Sequence, residues 1–173
     1  MALIFQYGSN IFPDRINNNN RLMGDAVPLK LVCTKQKYNL IFPVKSKNNN
    51  CGAADIEPYG EKTIWGMLYR IPDYLLKRST AGNRKSLDAI EGEGTNYKRV
   101  SIKLRYRNGK QINEDVITYI AKNRNKYYKT SKEYATYIIK GLRQSGAPKG
   151  YIEYAKKQIS RNNPRLANDI NNV

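Results

Sequence analysis

The sequence predicts an α+β protein: a small, mainly antiparallel, barrel-like β-sheet with flanking helices and two helices at its C-terminal end. Three observations lead there. Apolar runs, several of them closed by Gly, Pro or Asn turns, recur between residues 3 and 71 and again between 97 and 121. An Asn108-Gly109 pair marks a tight hairpin. Beyond residue 130 the apolar positions switch to helical spacing. Strands first and helices last is the order of the α+β class. A chain of 173 residues has room for one domain with a sizeable core and too little for two ordinary ones. The domain is assigned to residues 1–160, and residues 161–173 to a frayed polar C-terminal tail.

Taken in order, Leu3-Ile4-Phe5-Gln6-Tyr7 reads as a first strand stopping at Gly8. Pro13 to Ile16 can start a short helix, and the Asn run 17–20 reads as a solvated loop. Leu29–Thr34 and Tyr38–Val44 read as strands, followed by a polar loop to Gly52. Ala53–Ile56 is a short strand closed by the turn Pro58-Tyr59-Gly60. Thr63–Ile71 is the clearest strand, and its Gly66 implies a bulge or a close backbone approach. Residues 73–90 read as helical with a polar interruption at 78–85. Tyr97–Tyr106 alternates apolar with basic residues, the pattern of a half-solvated strand. Gln111–Ala121 continues into another. Ser131 is placed to cap a helix with Glu133 in its first turn, and Tyr134, Tyr137, Ile138 and Leu142 follow on one face. Gly146 ends that helix and Pro148 opens the next, which runs to about Ile159.

Composition narrows the chemistry. Histidine is absent and there are two cysteines, Cys33 and Cys51, without metal-ligand spacing. A zinc site, a Ser-His-Asp triad and a Cys-His pair are therefore not expected. No run of about 18 apolar residues occurs, so no spanning helix is expected. Met1–Phe5 lacks a basic leader and a cleavage site, so the reading is cytoplasmic. The net charge is +17. Residues 98–173 carry 18 Lys/Arg against 5 Asp/Glu, +13 by difference. Such a surface attracts nucleic acid, an acidic protein or a phosphorylated ligand. A bias towards Asn, Lys, Ile and Tyr produces the same charge with no binding role.

Three segments can carry chemistry. Tyr7-Gly8-Ser9-Asn10 ends a strand in a turn whose backbone N–H groups can cradle a carboxylate. Gly52-Ala53-Ala54-Asp55-Ile56-Glu57-Pro58 and Ile64-Trp65-Gly66-Met67-Leu68-Tyr69 are rich in small residues that permit close approach. Leu87-Asp88-Ala89-Ile90-Glu91-Gly92 precedes Tyr97. If Glu91 projects into a cavity between the Tyr7 loop and the Trp65 strand, desolvation raises its pKa, and such a carboxyl can both take and give a proton. Each segment alone is ordinary: a turn, a packed hairpin, a surface acid.

The ordered set, Tyr-Gly-Ser-Asn, Gly-Ala-Ala-Asp-Ile-x-Pro, Trp-Gly-x-Leu-Tyr and Leu-Asp-x-x-Glu-Gly before a Tyr, resembles the gamma-glutamyl cyclotransferase family, also described as AIG2-like. Tyr119-Ile120-Ala121, Ser131–Gly141 and Gly150-Tyr151-Ile152 extend the resemblance over most of residues 3–159. The resemblance implies that a gamma-glutamyl amino acid or amine cyclises to 5-oxoproline with release of the free amine. It implies Glu91 as the general acid/base. It implies Tyr7, Gly8, Ser9, Asn10 and Ile11 around the glutamyl head, with Tyr97 hydrogen-bonding in the site. It also implies that neither a metal nor an organic cofactor is needed. The basic face suits a substrate carried on an acidic carrier protein. The competing reading is a catalytically repurposed basic protein of the same fold that binds nucleic acid or inhibits an acidic partner. The 73–86 stretch is longer and more basic than in compact relatives, and the motifs do not require the positive charge.

Overall fold

The structure, a computed structural model, describes residues 1–173. Eight strands, five α-helices and several 3-10 turns make up the chain. The strands are β1 (Ala2–Gln6), β2 (Val27–Thr34), β3 (Tyr38–Ser46), β4 (Cys51–Pro58), β5 (Trp65–Ile71), β6 (Tyr97–Ile102), β7 (Leu104–Arg105) and β8 (Val116–Ala121). The helices are α1 (Pro13–Ile16), α2 (Leu87–Glu91), α3 (Lys132–Gln144), α4 (Lys149–Asn162) and α5 (Ala167–Asn171).

Six strands form one sheet in the order β6-β8-β1-β5-β2-β7, and β3-β4 form a separate antiparallel hairpin. Every pair is antiparallel except β1-β8. The two outermost strands, β6 and β7, are separated in sequence by Lys103 alone. Adjacent Cα atoms are about 3.8 Å apart, so the two ends of the sheet meet along one continuous segment. The first half of that segment pairs with β8 and the second half with β2. This is how the mainly antiparallel sheet curls into the barrel-like form, and it leaves fewer open edges. The expected single strand Tyr97–Tyr106 thus divides its pairing between two neighbours. The Asn108-Gly109 turn sits where expected, with Gly109 at φ 86°. Gln111 rejoins Arg105 across it, and the next strand starts only at Val116.

Gly66 marks a close approach rather than a bulge. A Cβ there would fall 2.4 Å from the Gln6 carbonyl oxygen and 2.6 Å from the Phe5 ring. Gly141 does the same for the helical layer, where a Cβ would fall 2.5 Å from Ile11 Cγ2. That absence of a side chain lets α3 lie against the turn that follows β1. Asp55, fully buried, ties β4 to β8 by accepting the Ala121 N–H at 2.8 Å and Arg124 Nε at 2.6 Å.

Two expectations are corrected. Residues 73–90 hold two short 3-10 turns, Asp73–Leu75 and Arg78–Thr80, joined by bends and turns, with α2 as the only α-helix. The segment has no continuous apolar stripe, and the Thr80 hydroxyl competes for the carbonyls of Tyr74 and Lys77. The tail 161–173 is not frayed: a 3-10 turn at Pro164–Leu166 leads into α5, and Leu166 and Ile170 are buried in the core. The asparagines that suggested a solvated end bond to backbone instead. Asn162 Oδ1 accepts the Thr130 N–H at 2.7 Å, and Asn163 Nδ2 donates to the Thr130 carbonyl at 2.9 Å. Leu166 and Ile170 thus belong to the same buried core as the preceding strands and helices. Ile170→Ala is expected to lower unfolding stability by about 2–5 kcal/mol, measured by urea denaturation, whereas a frayed tail would give no change.

Candidate active site

The site is built where β1 ends. Its backbone passes into a 3-10 turn, Ser9–Ile11, preceded by Gly8 and carrying no side-chain cap. The first N–H groups of such a turn have no acceptor within it. Opposite stands the C-terminus of α2. Ser86 caps the start of α2 by accepting the Ala89 N–H at 3.2 Å, and Gly92 stops it in the left-handed conformation, φ 73° and ψ 41°. That stop makes Glu91 the last helical residue.

Asp88, one turn earlier and buried, anchors the helix to the sheet. It accepts the Tyr119 hydroxyl at 2.7 Å and Arg99 Nη1 at 2.9 Å. With α2 so fixed, one oxygen of Glu91 accepts Asn10 Nδ2 at 2.8 Å and Gln6 Nε2 at 3.1 Å. A cleft of about 210 Å³ opens over this carboxylate, with Ser9, Asn10, Ala53, Tyr97 and Tyr134 among its walls. A smaller cavity of about 30 Å³ continues inward past Gln6, Tyr7, Gly8 and Tyr119.

The electrostatics favour a proton-carrying role. Desolvation pushes the Glu91 pKa above its ordinary value, against the lowering effects of Arg21, of the Asn10 and Gln6 hydrogen bonds and of Arg15. Hydrogen-bond donors that are neutral hold the carboxylate without pinning it in the charged form as an ion pair would. The surrounding tyrosines have raised pKa values, burial being the main cause. They remain neutral and act as fixed dipoles.

Tyr7, Gly8, Ser9, Asn10, Glu91 and Tyr97, drawn from three distant segments, line these two connected cavities. Ile11 does not. It is fully buried, its N–H is taken by the Gly8 carbonyl and its carbonyl accepts the Tyr69 hydroxyl at 3.1 Å. Its side chain is a wedge against α3, because the 3-10 twist turns it inward. The hydroxyls of Tyr7 and Tyr97 are also committed, to the carbonyls of Tyr119 at 2.5 Å and Ala54 at 2.6 Å. Their visible task is to lock the loop, β4 and β8 around the cavity. The wall facing Glu91 is β4 and Tyr134 of α3, not the Trp65 strand.

Sequence reasoning missed Gln6, Arg15, Arg21, Asp88 and Tyr134. Tyr134 matched a helical core pattern, and nothing in the spacing shows that its hydroxyl accepts the Ala54 N–H at 3.0 Å. Arg15 and Arg21 flank a low-complexity Asn run, which concealed them. Arg15 Nε donates to Ser9 Oγ at 2.9 Å, and Arg21 Nη1 to Asn10 Oδ1 at 3.0 Å. They hold the turn from outside.

A curled, mainly antiparallel sheet with helices packed on it and one carboxylate in its cleft defines a protein of gamma-glutamyl cyclotransferase-like fold. The chain belongs to the AIG2-like family, whose profile matches residues 63–154, a span that includes Glu91 and Tyr97. Among solved structures it is similar to an uncharacterised protein from Homo sapiens, with TM-score 0.73 and 25% identity over 90% of this chain and 86% of that one. A gamma-glutamyl cyclotransferase aligns with TM-score 0.72 and 24% identity over 90% and 86%. YkqA from Bacillus subtilis aligns with TM-score 0.73 and 20% identity over 92% of this chain and 54% of that one. The last two likenesses are of fold. No curated protein matches the chain.

Replacing Glu91 by Gln mimics the protonated acid, which fixes the sign of a stability test. A carboxyl whose folded pKa is raised contributes stability that is complete below its unfolded value and lost as pH rises through the folded value. Glu91→Gln is therefore expected to melt above wild type at neutral pH, with the gap closing as pH falls to the ordinary glutamate range. Thermal unfolding from pH 4 to 8 checks it.

Proposed function

We propose that the protein cyclises a gamma-glutamyl compound to 5-oxoproline and the free amine. The observation that carries the proposal is a single carboxylate, held by two neutral amides at the floor of a cleft, beside the uncapped first turn that follows β1. The glutamyl head sits with its polar groups on the N–H groups of Gly8, Ser9 and Asn10. Its α-amine then faces its own γ-carbonyl, and the walls hold it in that pose. Nucleophile and electrophile belong to one molecule, so the protein's task is to freeze the substrate's internal rotations in the cyclising pose.

The α-nitrogen attacks the carbon of the γ-carbonyl group, closing the five-membered ring, and the bond from that carbon to the leaving nitrogen breaks. Glu91 takes the proton lost by the attacking nitrogen and returns one to the departing nitrogen. No water is consumed, and the acid ends as it began. A carboxyl with a raised pKa suits both halves of this task. The small faces of Ala53 and Ala54 leave room for the folded head, and the hydroxyls of Tyr7 and Tyr97 keep the enclosing strands fixed.

The test is 5-oxoproline release from a panel of gamma-glutamyl amino acids and amines. Glu91→Gln is expected to reduce kcat by roughly 10²–10⁴-fold, the usual contribution of a positioned acid/base. The acidic limb of kcat/KM is expected above the ordinary glutamate pKa, following the direction of the Glu91 shift. Turnover that survives Glu91→Gln undiminished would remove this mechanism.

A further inference from the structure

A second cleft, of about 450 Å³, adjoins the first. The two share Arg21, Asn48, Asn49, Ala89 and Ile90. A molecule with its head at Glu91 has room to extend its other half there. Three cations, Arg15, Arg21 and Lys85, line this cleft together with Asn side chains, and no Asp or Glu does.

The two arginines differ from three others that are partly sequestered in the protein. Arg84, Arg99 and Arg124 each pair with an aspartate: Asp25, Asp88 and Asp55. Arg15 and Arg21 make no salt bridge. Arg15 is 7% exposed, and its partners are all neutral: Ser9 Oγ, Asn49 Oδ1 at 2.6 Å and the Tyr137 ring at 4.3 Å. Its Nη1 makes no hydrogen bond with the protein, and Arg21 spends only Nη1, on Asn10. Burial and then the neighbouring Arg15 lower the Arg21 pKa, so positive charge is crowded here. Glu91 opposes that crowding, but its bonded oxygen serves Gln6 and Asn10. Lys85 is exposed and makes neither a side-chain hydrogen bond nor an ion pair. Arg15 Nη1, and Nε and Nη2 of Arg21, therefore have N–H groups free for a carboxylate.

Building on the cyclisation reading above, we propose that this cleft is the leaving-group subsite. It selects gamma-glutamyl compounds whose released amine is acidic, an acidic amino acid or a short acidic peptide with two or more carboxylates. A single carboxylate occupies the arginine pair and leaves Lys85 unmatched. A second one completes the set.

Binding and turnover separate this inference from the reading beneath it. Three ligands with the same head, gamma-glutamyl-glutamate, gamma-glutamyl-alanine and gamma-glutamyl-ethylamine, are titrated calorimetrically into Glu91→Gln protein. Affinity is expected to fall in that order, roughly tenfold per carboxylate lost, with the differences shrinking as salt rises. Lys85→Gln, at an exposed position with no internal contact to break, should lose most of the preference for glutamate over alanine. Equal affinities, tightest binding of the neutral amine, or an unchanged preference in Lys85→Gln would each overturn the subsite. 5-Oxoproline is assayed separately with wild-type protein and the same ligands. The affinity order without any 5-oxoproline would retire cyclisation and keep the subsite; 5-oxoproline with equal affinities would do the reverse.

Discussion

Glu91 occupies the cleft because α2 is fixed at both ends and in its middle. Ser86 starts the helix, Gly92 stops it, and Asp88 fastens it to Tyr119 and Arg99. The Asp88 pair is the element on which the others depend. Removing one side of such a buried pair leaves the other charge stranded, a loss of about 3–5 kcal/mol. Here it would also free the helix that aims the carboxylate. A five-residue helix has little stability of its own, so its position is a product of these contacts and not of helix propensity.

The second requirement is closure. Because residues 97–105 pair with β8 through one half and with β2 through the other, the sheet's two ends meet along one continuous segment whose first residue lines the site. Tyr97 at the start of this segment reaches across to β4, and Tyr7 reaches to β8. Buried hydroxyls must find acceptors. In this fold the acceptors are carbonyls on neighbouring strands, so satisfying them also sets the cavity's dimensions. The small residues of β4 and the bare Cα of Gly141 act in the same direction, by allowing layers to approach where side chains would hold them apart.

Charge is distributed with the same economy. The aspartates at 25, 55 and 88 each neutralise one arginine. Glu91 is given amide donors in place of a direct ion pair, and this is why desolvation dominates its titration. The arginines nearest to it also lack ion-pair partners. Acid and bases are thus kept close without cancelling.

Much of the architecture was legible in the chain itself. Strand runs, the Asn-Gly turn and the helical stripe of Tyr134, Ile138 and Leu142 are local patterns, and local geometry follows from period and turn chemistry. The motif order was enough to join residues 7–10 with Glu91, and the structure places them at one cleft. Other features depended on distance in sequence. The roles of Gln6, Arg15, Arg21 and Asp88 rest on partners far along the chain or hidden beside a run of asparagines. Ile11 adjoins the loop in sequence but leaves the site, because one 3-10 turn reverses which way a side chain faces. The tail looked solvated by composition, yet Leu166 and Ile170, four apart, were its legible sign of burial. The residue types that could do the chemistry, and the order in which they occur, are written along the chain. Which of them face one cavity and which are desolvated follows from folding, because burial and opposing charge are set by residues from the whole chain.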